Sequence, residues 1–374
     1  MTDIFVYGTL RYLPLLELVL GKPSAALDIQ PARLPGHQVY AVAGEPFPMI
    51  EPCAGQEAEG LLLRRLAPED TGALNFYEGG FDYTLKPVEV LPEGGSPVPV
   101  EVYFPEPGLW ARGNVWDLDA WAAEWGAMTL RAAEDIMAYQ GRITPQQAAR
   151  AMPSARRRAA SWLAAQAGPE DPAHDLSEDV IVHAHRRSHI GFCACEEMDL
   201  QFRRNDCSMS PVLNREAFMN GDAAVVLPYD PVRDEVLLVE QFRAAAYIGG
   251  ETRPWMLEAV AGLIDPGEQP EDTARRESLE EAGLTVEDLE LVGEIYPSSG
   301  CLTQKLHVYV GICDISKRQG GGGVAHEGED IRSEVLPFDV LMERIDARAC
   351  QDMPLVTAGL WLARHHGRLR AEYA

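Results

Sequence analysis

The chain has 374 residues, 46% of them hydrophobic, enough for two ordinary domains with a core each. A formal net charge of −26 disfavours nucleic-acid and anionic-membrane partners. No apolar run approaches the roughly 18 residues of a membrane span, and the opening MTDIFVYGTL lacks a signal-peptide pattern, so a cytoplasmic protein is expected.

In chain order, a strand at Ile4–Tyr7 runs into a Gly-Thr-Leu turn, and residues 13–20 suit a short helix. Strands are expected at His37–Ala43, Glu59–Leu66, Pro87–Leu91 and Val98–Phe104, the last two flanking hairpin chemistry at Pro92–Pro97. Two helices, about 117–140 and 144–166, close the domain, with Trp116, Trp121, Trp125 and Trp162 supplying apolar surface. This reads as an α+β domain, residues 1–165, around a small closed mixed sheet. Residues 166–178 are polar and rich in Pro, Gly and acid, as linkers are.

A second domain, 179–374, opens with strands near Val180–His185 and Met198–Arg203. Ala223–Pro228 and Glu235–Arg243 form a hairpin around Asp230-Pro-Val-Arg-Asp. A strand near Glu258–Ile264 leads to a helix at about 270–282. Strands at 289–296 and Leu306–Cys313 and helices near 338–346 and 354–366 complete an α/β/α sandwich with mixed sheets. Gly320–Gly323 reads as a flexible loop. Seven scattered cysteines argue for a reducing compartment, and Cys193 and Cys195 read as buried or neutral thiols.

The strongest chemical signal is Gly262-Leu-Ile-Asp-Pro-Gly-Glu268 continuing to Arg276-Glu277-Ser-Leu-Glu280-Glu281-Ala-Gly283-Leu284. Pro270 suits a first helical position, and Gly283 suits a left-handed C-terminal cap. Glu277, Glu280 and Glu281 fall at i, i+3 and i+4, which puts three carboxylates on one helix face. Such a face is also common as solvated surface. Hard oxygen ligands this close suit Mg²⁺ or Mn²⁺. In so acidic a chain, a phosphate-bearing substrate needs bound metal or placed arginines.

The pattern G-x5-E-x7-R-E-U-x-E-E-x-G-U resembles the Nudix box, with Ser278 at a usually apolar position as its one departure. The resemblance implies Glu277 and Glu281 as metal ligands, Glu280 as a catalytic residue that supports or ligates the metal, the Ala261 carbonyl as a further ligand, and Glu268 with Arg276 as a brace. Leu227–Val236, Glu240–Arg243, Pro254–Glu258 and Tyr296–Gly300 resemble the ADP-ribose pyrophosphatase branch. That likeness implies a nucleoside diphosphate substrate, with Arg243 on its diphosphate and Phe192 stacked on adenine. It also implies a homodimer, with Arg215 and Glu216 reaching across the interface. In Ala325–Arg332 it implies Glu327 as catalytic base and Glu329 as a further metal ligand.

Tyr7-Gly8-Thr9-Leu10 and Tyr77-Glu78-Gly79 before Tyr83 resemble the γ-glutamylcyclotransferase-like (AIG2-like) family. There the Tyr-Gly-Thr-Leu backbone takes a substrate carboxylate, and the glutamate, here Glu78, moves a proton. The two-domain arrangement resembles bacterial fusion proteins linked by name to tellurite resistance. A rival to the hydrolase reading is an ADP-ribose sensor without efficient turnover.

Overall fold

In a computed structural model, residues 2–81, 83–323, 328 and 330–374 are described, so the expectations for Glu327 and Glu329 fall outside the described residues. The chain forms two compact units, Met1–Arg215 and Glu216–Ala374.

The first unit runs β1 (Thr2–Val6), α1 (Leu13–Leu20), β2 (Asp28–Val42), β3 (Pro48–Leu66), α2 (Pro68–Glu78), β4 (Tyr83–Pro92), β5 (Val98–Pro105), β6 (Arg112–Val115), α3 (Leu118–Met137) and α4 (Pro145–Gln166). The strand order β3-β1-β5-β4-β2, with β2 returning to β3, closes a five-stranded barrel, and β6 hangs on β2. The β1–β5 pair is parallel and the others antiparallel, which is the small mixed barrel expected. Alternation along β1 sorts its side chains: Phe5 joins the barrel interior with Leu62, Val90 and Val102, while Ile4 and Val6 join the helical layer.

Four helices pack on that layer. The buried stripe of α4, Ala148, Ala151, Met152, Ala155 and Ala159, has helical spacing. Residues 166–178 lead from the end of α4 to α5 (Leu176–Asp179). Then β7 (Val180–Ile190), β8 (Ala194–Phe202) and β9 (Leu213–Met219) form a sheet in that order. The β7–β8 hairpin docks on α3 and α4. Ile190 packs against the helical core, and Arg187 Nε lies 3.1 Å from buried Asp135. Asp135 also accepts from Arg131 at 2.7 Å. Cys193 is exposed and Cys195 half-buried, which corrects the buried reading: a turn, not a strand interior, carries the first of them.

The second unit has β10 (Ala223–Asp230), β11 (Glu235–Phe242), α6 (Ala244–Ile248), β12 (Trp255–Glu258), β13 (Val260–Leu263), α7 (Pro270–Ala282), β14 (Asp288–Ile295), β15 (Leu306–Ile312), β16 (Arg332–Pro337), α8 (Phe338–Asp346) and α9 (Met353–Tyr373). Every residue of β10 is buried, as a central strand's should be. Ala223, Val225, Leu227 and Tyr229 face a core with Leu355, Ala358 and Leu362 of α9, while Ala224 and Val226 face one with Ala274 and Ala282 of α7. The unit is therefore the expected α/β/α sandwich. β10 pairs with β11 only at Tyr229–Asp230 and with β13 along Ala223–Val226, so the sheet splays where β13 enters. No helix of the described residues is long and apolar enough to cross a membrane.

Candidate functional site

The expected helix signals are all present in α7. Pro270 opens it, Glu271 and Asp272 occupy its first turn, and Gly283 at φ +64° ends it. The Gly283 and Leu284 amides return to Leu279 and Ser278 carbonyls at 3.0 Å. Ser278, the departure from the box, is fully buried, and its hydroxyl donates to the Ala274 carbonyl at 2.7 Å, so the polar atom is satisfied within the helix.

The C-terminal end of α7 is held from outside. Arg318 Nε donates to the Ala282 carbonyl at 3.1 Å. The amides of Gly322 and Gly323 donate to the carbonyls of Glu281 and Glu280, at 2.9 and 3.3 Å. The glycine run read as a flexible loop is thus fastened to the helix that carries the acidic face. Its glycines have φ between +74° and +116°, which explains the composition.

The carboxylates meet β13. Glu281, 1% exposed, accepts from the Ala261 amide at 3.2 Å. Glu277 lies against Gly262, where a Cβ would stand 1.8 Å from its Oε1. Arg276 supplies the cation such crowding requires. Its Nη1 reaches Glu277 at 2.6 Å and Glu280 at 3.1 Å, while Nε and Nη2 hold Glu268 at 2.9 Å each. Burial alone would raise Glu268, but hydrogen bonds from Arg276 and Thr273 hold its carboxyl below the usual range. Glu268 and Arg276 are therefore the brace expected.

The donor set fits a hard divalent cation: carboxylate oxygens of Glu277 and Glu281 beside the Ala261–Gly262 backbone. No three His, Cys, Asp or Glu side chains of the described residues form a metal cage by themselves. A cation held there would draw a further ligand from elsewhere, and Glu329, the residue the resemblance implies, lies outside the described residues.

Arg243 precedes α6, and Glu258 ends β12 on the neighbouring strand. Nε and Nη2 of Arg243 grip the buried Glu258 carboxylate at 2.6–3.0 Å. Burial would lower the guanidinium pKa, yet this pair, with Glu281 and Asp352 beyond it, raises it. Asp352, which caps α9 by accepting from Leu355 at 2.9 Å, is pushed up to about 6 by burial, with Glu258 adding to the rise. The sequence singles out Arg243 but gives no sign that Glu258 and Asp352 surround it. Phe192 is exposed in the β7–β8 turn of the first unit. Arg215 and Glu216 are exposed on β9, with Arg215 donating to the Asn214 carbonyl at 2.7 Å.

The first unit holds a cavity lined by Tyr7, Gly8, Thr9 and Leu10 from the turn after β1 and by Tyr77 and Glu78 from the end of α2. The structure thus brings together the two motifs singled out in the sequence. Tyr83 and Tyr103 add aromatic wall, and α3 and α4 contribute Thr129, Met152 and Arg156. Burial pushes the Glu78 carboxyl up to about 7, against the opposing charge of Arg156. Tyr7 is raised well above its ordinary value, first by burial and then by Tyr83 and Glu78. Burial in this cavity thus brings the Glu78 carboxyl towards neutrality. Arg156 was missed by sequence reasoning. Its place one turn after buried Met152 was the available signal.

Residues 219–352 match the NUDIX domain, and residues 4–122 match the gamma-glutamyl cyclotransferase, AIG2-like domain. The chain is 40% identical over 196 residues to the ADP-ribose pyrophosphatase of Escherichia coli K12, covering 52% of this chain and 93% of the relative. It is 32% identical over 206 residues to that of Haemophilus influenzae, covering 54% and 93%. It is 36% identical over 143 residues to the GDP-mannose pyrophosphatase of Cronobacter sakazakii, covering 38% and 73%. With the braced acidic helix and the tyrosine-walled cavity in place, these matches identify the chain as a Nudix hydrolase joined to an N-terminal AIG2-like gamma-glutamyl cyclotransferase domain.

Proposed function

We propose that the second unit hydrolyses the pyrophosphate of ADP-ribose, or of a closely related nucleoside diphosphate sugar, to AMP and ribose 5-phosphate. The observation that carries this reading is Glu277 and Glu281 held against the Ala261–Gly262 backbone by an arginine-braced helix. The likeness to ADP-ribose pyrophosphatases supports the substrate. Glu277 and Glu281, with the Ala261 carbonyl and Glu329, would hold Mg²⁺ or Mn²⁺. When bound, such an ion polarises phosphorus and acidifies a water. Arg243 offers the substrate phosphates the Nη1 edge that its pair with Glu258 leaves outside. Glu327 takes the water's proton, and Glu280 keeps Arg276 turned along the acidic face.

Replacing Glu281 by Gln should lower turnover of ADP-ribose by orders of magnitude while the melting temperature stays near that of wild type. Near-wild-type hydrolysis in that variant refutes the ligand role. The dimer, with Phe192, Arg215 and Glu216 serving the substrate, belongs to the same proposal. A monomeric mass at full activity contradicts it.

A second reading applies to the first unit, because Glu78 sits raised in a cavity with the Tyr7–Leu10 turn. There a γ-glutamyl compound would close to 5-oxoproline. Its α-amine attacks the γ-carbonyl carbon, the bond to the departing amine breaks, and Glu78 carries the proton from the one nitrogen to the other. Release of 5-oxoproline by the full chain from a γ-glutamyl panel, lost in Glu78→Gln, tests this.

A further inference from the structure

The two family matches cover residues 4–122 and 219–352, and a cluster of buried charge lies in the stretch between them. Asp135 of α3, Arg158 of α4 and Glu196 of β8 are 3%, 4% and 6% exposed. They meet where the β7–β8 hairpin docks on the two helices. Arg187 of β7 bridges Asp135 at 3.1 Å and Glu196 at 3.5 Å.

Buried charge of this kind adds little stability, because desolvation offsets most of the attraction. What it fixes here is the backbone of the hairpin. Arg142, between α3 and α4, lies over the Tyr139 ring and donates through Nη1 to the Arg187 carbonyl at 2.9 Å. Arg158 Nη1 donates to the Phe192 carbonyl at 3.4 Å, in the turn itself. Nε and Nη2 of Arg158 have no hydrogen-bond partner among the described residues, and Asp135, 3.9 Å away, is already engaged by Arg131 and Arg187. The guanidinium is thus placed for the turn rather than for the acid. Ile190 packs into the helical core and Ala194 is buried, so the chain is anchored on both sides of Phe192. Phe192 itself is 64% exposed. A fastened backbone that presents a bare ring to solvent is arranged for a ligand, since little freedom is left to lose when the ring is covered.

We propose that Arg158, aided by Arg142, is a positioning residue for the nucleotide: by holding the turn carbonyl it aims the Phe192 ring at the base. Helix α4, outside both family matches, then sets how tightly the hydrolase takes its substrate. The inference rests on the reading above in which Phe192 serves the substrate.

The test is steady-state ADP-ribose hydrolysis by the full chain at saturating Mg²⁺, beside a thermal melt. Phe192→Ala should raise KM about tenfold, the scale of one base–aromatic stack. Arg158→Met should raise KM about three- to tenfold, part of what the ring contributes, with kcat within about twofold of wild type. Arg158→Lys should recover part of that loss. Arg142→Met, at an exposed position, should shift KM in the same direction. Inhibition by AMP should weaken in parallel, while inhibition by ribose 5-phosphate, which has no base, should stay as it is. In a Phe192→Ala background neither arginine change should add to KM, whereas a merely structural arginine acts with or without the ring. If wild type does not hydrolyse ADP-ribose, or Phe192→Ala keeps the wild-type KM, the reading of Phe192 fails and takes this inference with it. If Phe192→Ala raises KM but Arg158→Met leaves it unchanged, or raises it equally without the ring, the inference alone is overturned. Should Arg158→Met not fold, Arg142→Met decides by the same criteria.

Discussion

Gly262→Ala is the smallest change that reaches the carboxylates proposed to hold the metal. The new methyl would stand 1.8 Å from Oε1, 2.0 Å from Cδ and 2.5 Å from Cγ of Glu277. Ordinary van der Waals contact begins at 3.4 Å, so the carboxylate must retreat by about 1.6 Å. The obstructing atoms are the end of a flexible side chain, and Gly262 does not have a left-handed backbone, so the fold should lose only about 1 kcal/mol. Divalent-ion coordination does not tolerate such a shift, because ligand distances hold to roughly 0.2 Å. Displacement of a reacting geometry by about 1 Å costs on the order of a hundredfold. The assay is ADP-ribose hydrolysis titrated with Mg²⁺, beside a thermal melt. The expected result is turnover down about a hundredfold, a weakened Mg²⁺ requirement curve and a melting temperature within a few degrees of wild type. Full turnover with an unchanged Mg²⁺ curve would mean that Glu277 does not act from the place where the structure puts it.

Gly283→Ala should be harsher on stability and less specific for catalysis, since its Cβ would meet the Gln319 carbonyl at 2.4 Å at a φ of +64°; a loss of at least 1–2 kcal/mol in chemical unfolding is expected. Glu258→Gln should raise KM for ADP-ribose about tenfold with a smaller change in kcat, because Arg243 loses a charged, two-pronged anchor; steady-state kinetics at saturating Mg²⁺ reads this. Glu78 gives the first unit a pH signature. Unfolded, it loses its proton near pH 4.5, and folded, near pH 7, so the folded state holds the extra proton between these values and stability falls as pH rises through that window. Glu78→Gln should then melt higher than wild type at pH 8, by about 1–3 kcal/mol, and equally at pH 4; an identical gap at both pH values contradicts the raised carboxyl.

The parts legible from sequence are those where local signals and function coincide. Helix α7 was read to the residue, because Pro270 and Gly283 are end signals that tertiary packing has no reason to override. The hairpins β4–β5 and β10–β11 followed from their turn chemistry. Helix α2 was missed although it ends on Glu78. Its start at Pro68-Glu-Asp is a good signal, but eleven residues with Gly72 inside show little amphipathic contrast. Strands β2 and β3 were seen only in fragments. Pro31, Pro35 and Gly36 punctuate the first, and Pro52 and Gly55 the second, while a register shift at Pro35–His37 lets the pairing continue through them. Short strands β6 and β16 exist through pairing with distant partners, Tyr40–Val42 and Glu235–Glu240, which no local window contains. The same holds for Arg156: its meaning lies in what faces it.

The glycine run at 320–323 contributes no side chain to any chemistry, yet it shapes what change the gene can accept there. All four positions hold backbone angles costly for other residues, and two of their amides end on the carbonyls of Glu280 and Glu281. In an exhaustive substitution library scored by hydrolysis, this bland stretch should therefore appear as a valley of intolerance nearly as deep as the acidic helix, and an enzyme engineer choosing where to place a tag or a linker should leave it alone.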